Sequence, residues 1–119
     1  SIKSEREETD DDLAKKMIAY VNENYYKDIY LIDLAEHFNF SSGYISALFK
    51  KITNENFKDY LNIKRVEKSK EVMRVNRHIK IKDLSTNVGC NNVNTFIRMF
   101  KNYEGISPSE YLETLEKND

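Results

Sequence analysis

Residues 81–101 read IKDLSTNVGCNNVNTFIRMFK, in which two apolar patterns flank a short polar turn. Side chains spaced i, i+3, i+4, i+7 lie on one face of a helix, so an apolar set at this spacing predicts a short amphipathic helix. With Tyr103 just beyond the segment, two such sets occur: Ile81, Leu84 and Val88 with Ser85 at the small position, then Phe96, Met99, Phe100 and Tyr103. The segment therefore predicts two helices, each with one buried face.

The residues between the two sets are of types that favour a tight turn between two helices. Gly89 tolerates the left-handed backbone conformation that often ends a helix. Asn91 and Asn92 belong to the residue types that cap the start of the next helix. A helix, a turn of three or four residues and a second helix form a helix-turn-helix layout.

The same pattern occurs earlier in the chain. Its two apolar sets are Leu31, Leu34, Ala35 and Phe38, then Ile45, Leu48, Phe49 and Ile52. Asn39 takes the place of Gly89, and Ser41 and Ser42 are the candidate caps. Further along, Asn54 corresponds to Gly105 and Asn56 to Ser107, which predicts matching helix ends and caps. The chain thus contains two helix-turn-helix units.

Charge is unevenly distributed along the 119 residues. The net charge is −1, yet residues 1–12 hold six acidic and two basic side chains, and residues 110–119 hold four acidic and one basic. The remaining body, residues 13–109, has 16 basic and 10 acidic side chains, or +6. A basic body between acidic ends suits a partner as negative as DNA.

The amino-acid composition further limits the possible fold class and cellular compartment. One proline and three glycines favour helices with short turns, and a single cysteine excludes an internal disulfide. Apolar runs are too short to span a bilayer and there is no signal-peptide pattern, so we expect a cytoplasmic protein without membrane contact. Because the first residue is serine, we expect the chain to be part of a longer protein.

Over about residues 13–113 the sequence resembles the AraC/XylS family of bacterial transcription regulators. Its most specific segments are 81–89 and 96–111, and the segment 39–51 looks closest to YesN-like response regulators, which carry an upstream receiver domain. The resemblance implies a homeodomain-like all-α fold of seven helices, in which two helix-turn-helix subdomains are joined by a long linker helix. Cys90 and Ser85 depart from the usual phenylalanine and alanine.

The helix pattern and the family resemblance together predict the domain limits and the partners. We expect a charged tail at 1–12, a first subdomain at 13–56, a connecting helix at 57–76 and a second subdomain with the C-terminal tail at 77–119. We expect Tyr20, Tyr25, Tyr26 and Tyr30 to pack on the first helix. The resemblance implies double-stranded DNA, an upstream regulatory domain such as a receiver, and RNA polymerase as partners.

The recognition helices are expected at about 42–52 and 92–103, in neighbouring major-groove segments. Predicted base-reading residues are Gly43, Ser46, Ala47, Val93, Asn94, Ile97 and Arg98. Predicted contacts to the DNA backbone are Ser42, Tyr44, Lys50, Lys51, Arg65, Lys82, Asn92 and Lys101. Arg98 is the strongest candidate because arginine binds guanine through two hydrogen bonds, although a phosphate contact or a surface ion pair would also suit it. Ser46 is either a base contact or a solvated serine.

The sequence gives little support to an enzymatic function. His37 and His78 are too scattered to form a metal site with Cys90, and we expect no cofactor and no catalysis. Cys90 reads as a small buried hydrophobe rather than a sensor. A DNA-repair enzyme would need a reactive cysteine in a basic site. The main alternative is a helical protein-interaction module that has lost DNA binding; salt-sensitive binding to duplex DNA separates the two.

Overall fold

A computed structural model describes residues 9–118, and over this range the chain forms seven helices and no strand. The helices are α1 (Asp10–Asn24), α2 (Leu31–Phe38), α3 (Ser42–Thr53), α4 (Phe57–Val75), α5 (Ile81–Asn87), α6 (Val93–Glu104) and α7 (Pro108–Lys117). The prediction of an all-α fold with seven helices is confirmed. Residues 1–8, most of the predicted tail, lie outside the described residues.

The first helix begins earlier than the apolar pattern indicated. Thr9 caps it, because its Oγ1 accepts a hydrogen bond from the backbone N–H of Asp12 at 3.1 Å. The three aspartates at 10–12 then form the first turn, where negative charge interacts favourably with the helix dipole. The predicted linker of residues 1–12 is therefore wrong over its last three residues.

The chain divides into two compact units. The first ends at Leu61 and leaves out Tyr25–Asp28, while the second consists of Tyr25–Asp28 and everything from Asn62 onward. Helix α4 thus contributes to both units, with Leu61 buried in the first and Val66 in the second. It was expected as a separate connector at 57–76, but its own apolar residues complete both cores.

In the first unit, α1 and α2 both pack on α3. Residues buried from these helices include Leu13, Met17, Val21, Leu34, Ala35, Ile45, Leu48 and Phe49. Phe49 is fully buried, and its ring meets those of Phe57 and Tyr60 edge-on, with centroids 5.6 and 5.1 Å apart. Tyr20 packs against His37 of α2, at 4.5 Å between ring centroids.

The second unit has its own apolar cluster, made of Val66, Met73, Leu84, Val88, Cys90, Phe96, Met99 and Phe100. Tyr25 packs against this cluster, so the expectation that it packs on the first helix is wrong. Tyr26 and Tyr30 are 50% and 59% exposed, so each of these side chains is only partly covered. Tyr103, predicted in the buried stripe of α6, is 41% exposed.

Four residues adopt the left-handed conformation, as their types predicted: Asn39, Asn54, Gly89 and Gly105. Gly89 is under a second constraint. A Cβ added there would lie 2.8–2.9 Å from backbone atoms of Tyr25 and Tyr26, whereas one added at Gly105 would meet nothing within 4 Å. Only a residue without a side chain allows the Tyr25–Tyr26 backbone to lie so close to this turn.

The two departures from the family pattern are bonded to each other. The buried Ser85 hydroxyl donates to the Cys90 carbonyl at 2.7 Å, and the Cys90 N–H donates to the Ser85 carbonyl at 2.9 Å. Burial raises the pKa of the Cys90 thiol, although the nearby Arg65 opposes that shift. The thiol is therefore neutral at pH 7, as suits a packing role.

We predict that Gly89→Ala destabilises the protein more than Gly105→Ala. Both substitutions put alanine in the left-handed region, at a cost of about 1–2 kcal/mol. At Gly89 the clash with backbone atoms adds about 1–3 kcal/mol. Urea unfolding followed by circular dichroism measures both losses. Equal losses would contradict the close approach of the Tyr25–Tyr26 backbone.

Candidate nucleic-acid interface

The first recognition helix, α3, is fixed at both ends. Ser41 caps its start by accepting a hydrogen bond from the Tyr44 N–H at 3.2 Å, and Asn54 ends it with φ 62°. Burial of Ile45, Leu48 and Phe49 fixes which way the helix faces. All the residues of α3 that were predicted to contact DNA are exposed: Ser42, Gly43, Tyr44, Ser46, Ala47, Lys50 and Lys51.

The three positions of α3 that are predicted to read bases carry small side chains or none. Gly43 has nothing within 4 Å of an added Cβ, and Ala47 offers only a methyl group. Ser46 can donate or accept a hydrogen bond. Lys50 and Lys51 supply positive charge in the last turn. Such a face permits close approach to a groove but few base-specific contacts.

The second recognition helix, α6, has the same local design. Asn92 caps it by accepting a hydrogen bond from the Thr95 N–H at 3.0 Å, and Gly105 ends it. Phe96, Met99 and Phe100 are buried. These constraints set the exposure of every predicted residue on α6: Asn94, Arg98 and Lys101 are exposed, whereas Val93 and Ile97 are half-buried.

The polar face of α6 contains donors and acceptors in one row. Asn94 lies one turn before Arg98, so both side chains are on the same side of the helix. No side chain among residues 9–118 forms an ion pair with Arg98, which leaves its guanidinium available to a partner. Thr95 is also exposed on this face and was missed by the sequence analysis, although its place in the first turn after the Asn92 cap could have indicated it.

Arg65 has a structural role that its sequence position did not reveal. Its Nε donates to the Tyr25 carbonyl at 2.9 Å and its Nη2 donates to the Lys27 carbonyl at 2.8 Å. The guanidinium thus holds the segment that approaches Gly89, and these two donors are not free for a phosphate. Arg65 therefore positions the segment that approaches Gly89, and its predicted contact to the DNA backbone stays a prediction.

Two residues of α3 that are predicted to contact phosphates lie against a carboxylate of the protein itself. The Tyr44 hydroxyl donates to Oδ1 of Asp10 at 2.5 Å, and this hydrogen bond raises the pKa of Tyr44. Lys51 Nζ lies 3.9 Å from Oδ2 of the same carboxylate. No local pattern in the sequence indicates this contact, because Asp10 lies in the acidic segment that was predicted to be a tail.

The remaining predicted backbone contacts are exposed. Lys82 lies on α5, and Asn92 has its side-chain oxygen in the cap while its amide nitrogen remains available. The carboxylate of Glu110 accepts from the Ser107 N–H, which lowers its pKa, and the charge of nearby Lys101 lowers it further. Lys101 therefore faces both solvent and a carboxylate at the start of α7.

The profile of the helix-turn-helix domain family matches residues 34–114. The chain belongs to the AraC/XylS-type helix-turn-helix family. This is a family of DNA-binding domains of transcription regulators. The resemblance drawn from the sequence is therefore confirmed.

Relatives and solved structures agree with membership of the AraC/XylS-type family. The C-terminal domain of the two-component response regulator yesN from Fusobacterium nucleatum is 35% identical, with a TM-score of 0.76 over 82% of this chain and 95% of that one. That of AraT, a response regulator from Geobacillus stearothermophilus, is 26% identical, with a TM-score of 0.82 over 86% and 84%. The Msm operon regulatory protein of Streptococcus mutans is 31% identical over 84% of this chain.

The AraC/XylS-type chain spans 38% of the length of the Msm regulatory protein and 35% of the raffinose operon regulator RafR from Pediococcus pentosaceus. The curated relatives therefore contain long regions that this chain does not. Among the described residues, no helix combines the length and apolar character needed to cross a membrane.

We predict that Arg65→Lys lowers stability, because lysine cannot make both hydrogen bonds to the Tyr25 and Lys27 carbonyls. The expected loss is about 1–3 kcal/mol, measured by urea unfolding. Since lysine keeps the charge, affinity for DNA should stay within about two-fold at a temperature where the variant is folded. A variant of unchanged stability with weakened DNA binding would instead support the phosphate contact.

Proposed function

We propose that this domain is the DNA-reading part of a longer bacterial transcription regulator, and that α6 supplies most of its sequence specificity. The observation that carries the proposal is the exposed row Asn94, Arg98 and Lys101, on a helix whose opposite face is buried. A helix capped at its start and anchored by buried aromatic side chains presents this row in a fixed orientation, as recognition in the major groove requires.

The two recognition helices have different tasks. On α6, Arg98 can bind O6 and N7 of guanine, a contact that contributes about 1–3 kcal/mol of discrimination, and Asn94 can pair with adenine. On α3, Gly43 and Ala47 can contact a thymine methyl group and allow close approach, so that this helix reads mainly groove shape. The proposed DNA site therefore has a strongly specified part and a weakly specified part.

Phosphate contacts supply most of the affinity in this proposal. The side chains available for them are Ser42, Lys50, Lys82, Asn92 and Lys101. Backbone amides at the capped starts of α3 and α6 add partial positive charge at positions where a phosphate can bind. Because such contacts release counterions, affinity should fall steeply as salt rises.

The partners of the whole protein follow from its relatives. Two of the similar solved structures are C-terminal domains of response regulators. We therefore propose that a regulatory domain of receiver type precedes this one in the full protein, that the regulator works through RNA polymerase, and that it acts in the bacterial cytoplasm, where the DNA is.

Selection of duplexes from a random pool, at two salt concentrations, tests the proposal. Enrichment of a two-part site, better defined in one part than the other, is the expected result. Weak binding without enrichment would mean that specificity needs the rest of the protein. No binding even at low salt would favour a protein-interaction module, the alternative suggested by the small side chains on α3 and the acidic chain ends.

We predict that Arg98→Ala weakens binding to the selected duplex about 5- to 100-fold, because it removes a base contact. Binding to random duplex should fall by only a few-fold, since one charge is lost. Fluorescence anisotropy measures both affinities. Arg74→Ala is the control, because it removes an exposed arginine from the last turn of α4. Equal losses on both duplexes would rule out base reading by Arg98.

We predict that Lys50→Ala weakens binding to selected and random duplexes alike and reduces the slope of log K against log salt by about one. The slope decreases because binding without this phosphate contact releases one counterion fewer. Lys58→Ala, which removes an exposed lysine from α4, should leave the slope nearly unchanged. A loss confined to the selected duplex would contradict the phosphate role.

A further inference from the structure

The start of α1 lies against the exposed side of the first recognition helix. Thr9 caps α1, so Asp10 is its first residue and is held in helical geometry. The Asp10 carboxylate accepts a hydrogen bond from the Tyr44 hydroxyl at 2.5 Å, and Lys51 Nζ lies 3.9 Å away. A single acidic side chain therefore contacts two residues of α3, both of which are predicted to contact the DNA backbone.

Tyr44 and Lys51 form a pair because of helix geometry. Residues seven apart lie one above the other, two turns along the same face. Hydroxyl and ammonium groups are among the donors that proteins use to bind DNA phosphates. Here the same two donors bind a carboxylate, which resembles a phosphate in its charge and in its acceptor oxygens.

We propose that Asp10 occupies the position of a DNA phosphate on α3, so that DNA must displace it before Tyr44 and Lys51 can contact the backbone. This inference rests on the proposed DNA-binding function and adds a regulatory contact to it. Displacement costs the hydrogen bond to Tyr44 and leaves the carboxylate beside a negatively charged partner. The first unit is thereby held in a weakly binding state.

The sequence around Asp10 supports this role. Residues 5–12 contain six acidic side chains and one basic, so the segment that leads into α1 opposes DNA by its charge alone. Asp11 has the same charge and lies in the same helical turn. The contacts to Tyr44 and Lys51, however, are made by Asp10 and not by Asp11. The neighbouring aspartates therefore separate the effect of the contact from the effect of net charge.

The size of the effect is set mainly by Tyr44. The side chains of Lys51 and Asp10 are 74% and 49% exposed, and an ion pair so open to water contributes little. The hydrogen bond from the Tyr44 hydroxyl to a carboxylate is short and charge-assisted, and it is the stronger of the two contacts. The proposal therefore requires that Tyr44 transmits most of the effect of Asp10.

The experiment compares Asp10→Ala with Asp11→Ala in the full chain. Both remove one negative charge from the first turn of α1, and thermal unfolding checks that both variants remain folded. Fluorescence anisotropy at low salt measures affinity for a random-sequence duplex of about three helical turns. We expect Asp10→Ala to bind about three- to ten-fold more tightly than Asp11→Ala. In a Tyr44→Phe background this difference should shrink to less than about two-fold.

Each other outcome has a definite meaning. Equal affinities of the two aspartate variants, with wild type binding DNA, would overturn the inference and leave the proposed function intact. A difference that persists fully in the Tyr44→Phe background would overturn it as well, because the effect would not pass through the observed contact. Absence of binding by every variant at low salt would overturn the proposed function, and the inference with it.

Discussion

The burial of aromatic side chains in the two recognition helices is the constraint on which the rest of the structure depends. Phe49 in α3, and Phe96 and Phe100 in α6, are fully buried. Because an α-helix has a fixed angular step per residue, holding one face in the core determines which side chains point outward. The caps and left-handed ends then set where each helix starts and stops. Exposure of Ser46 or Arg98 is thus a consequence of packing on the opposite side.

The two units use the same local design for different surfaces. Helix α3 exposes small side chains and α6 exposes a polar row, although their buried faces follow the same spacing. The second turn carries an additional constraint, because Arg65 holds the backbone of Tyr25 and Lys27 and Gly89 leaves room for it. A turn held in this way suits the helix that is proposed to read the bases, since base contacts depend on orientation more than phosphate contacts do.

Charge has both a global and a local meaning in this protein. A net charge of −1 argues against DNA only until its distribution is considered, because the acidic residues are concentrated at the chain ends. The structure gives one of them a specific neighbour, since Asp10 contacts Tyr44 on α3. The start of α1 therefore lies against the side of α3 that is proposed to bind the DNA backbone.

The sequence by itself determined the helices apart from the start of α1, the caps of α3, α6 and α7, the left-handed helix ends, and most of the exposed faces of α3 and α6. These features depend on relations between residues one to seven positions apart, which a pattern in the sequence records directly. Only the tertiary structure decided that Tyr25 packs in the second unit, that Arg65 binds backbone carbonyls 38 and 40 residues away, and that Asp10 contacts Tyr44 across 34 residues. Such contacts join distant segments through the packing of the whole fold, and no local period or cap encodes them.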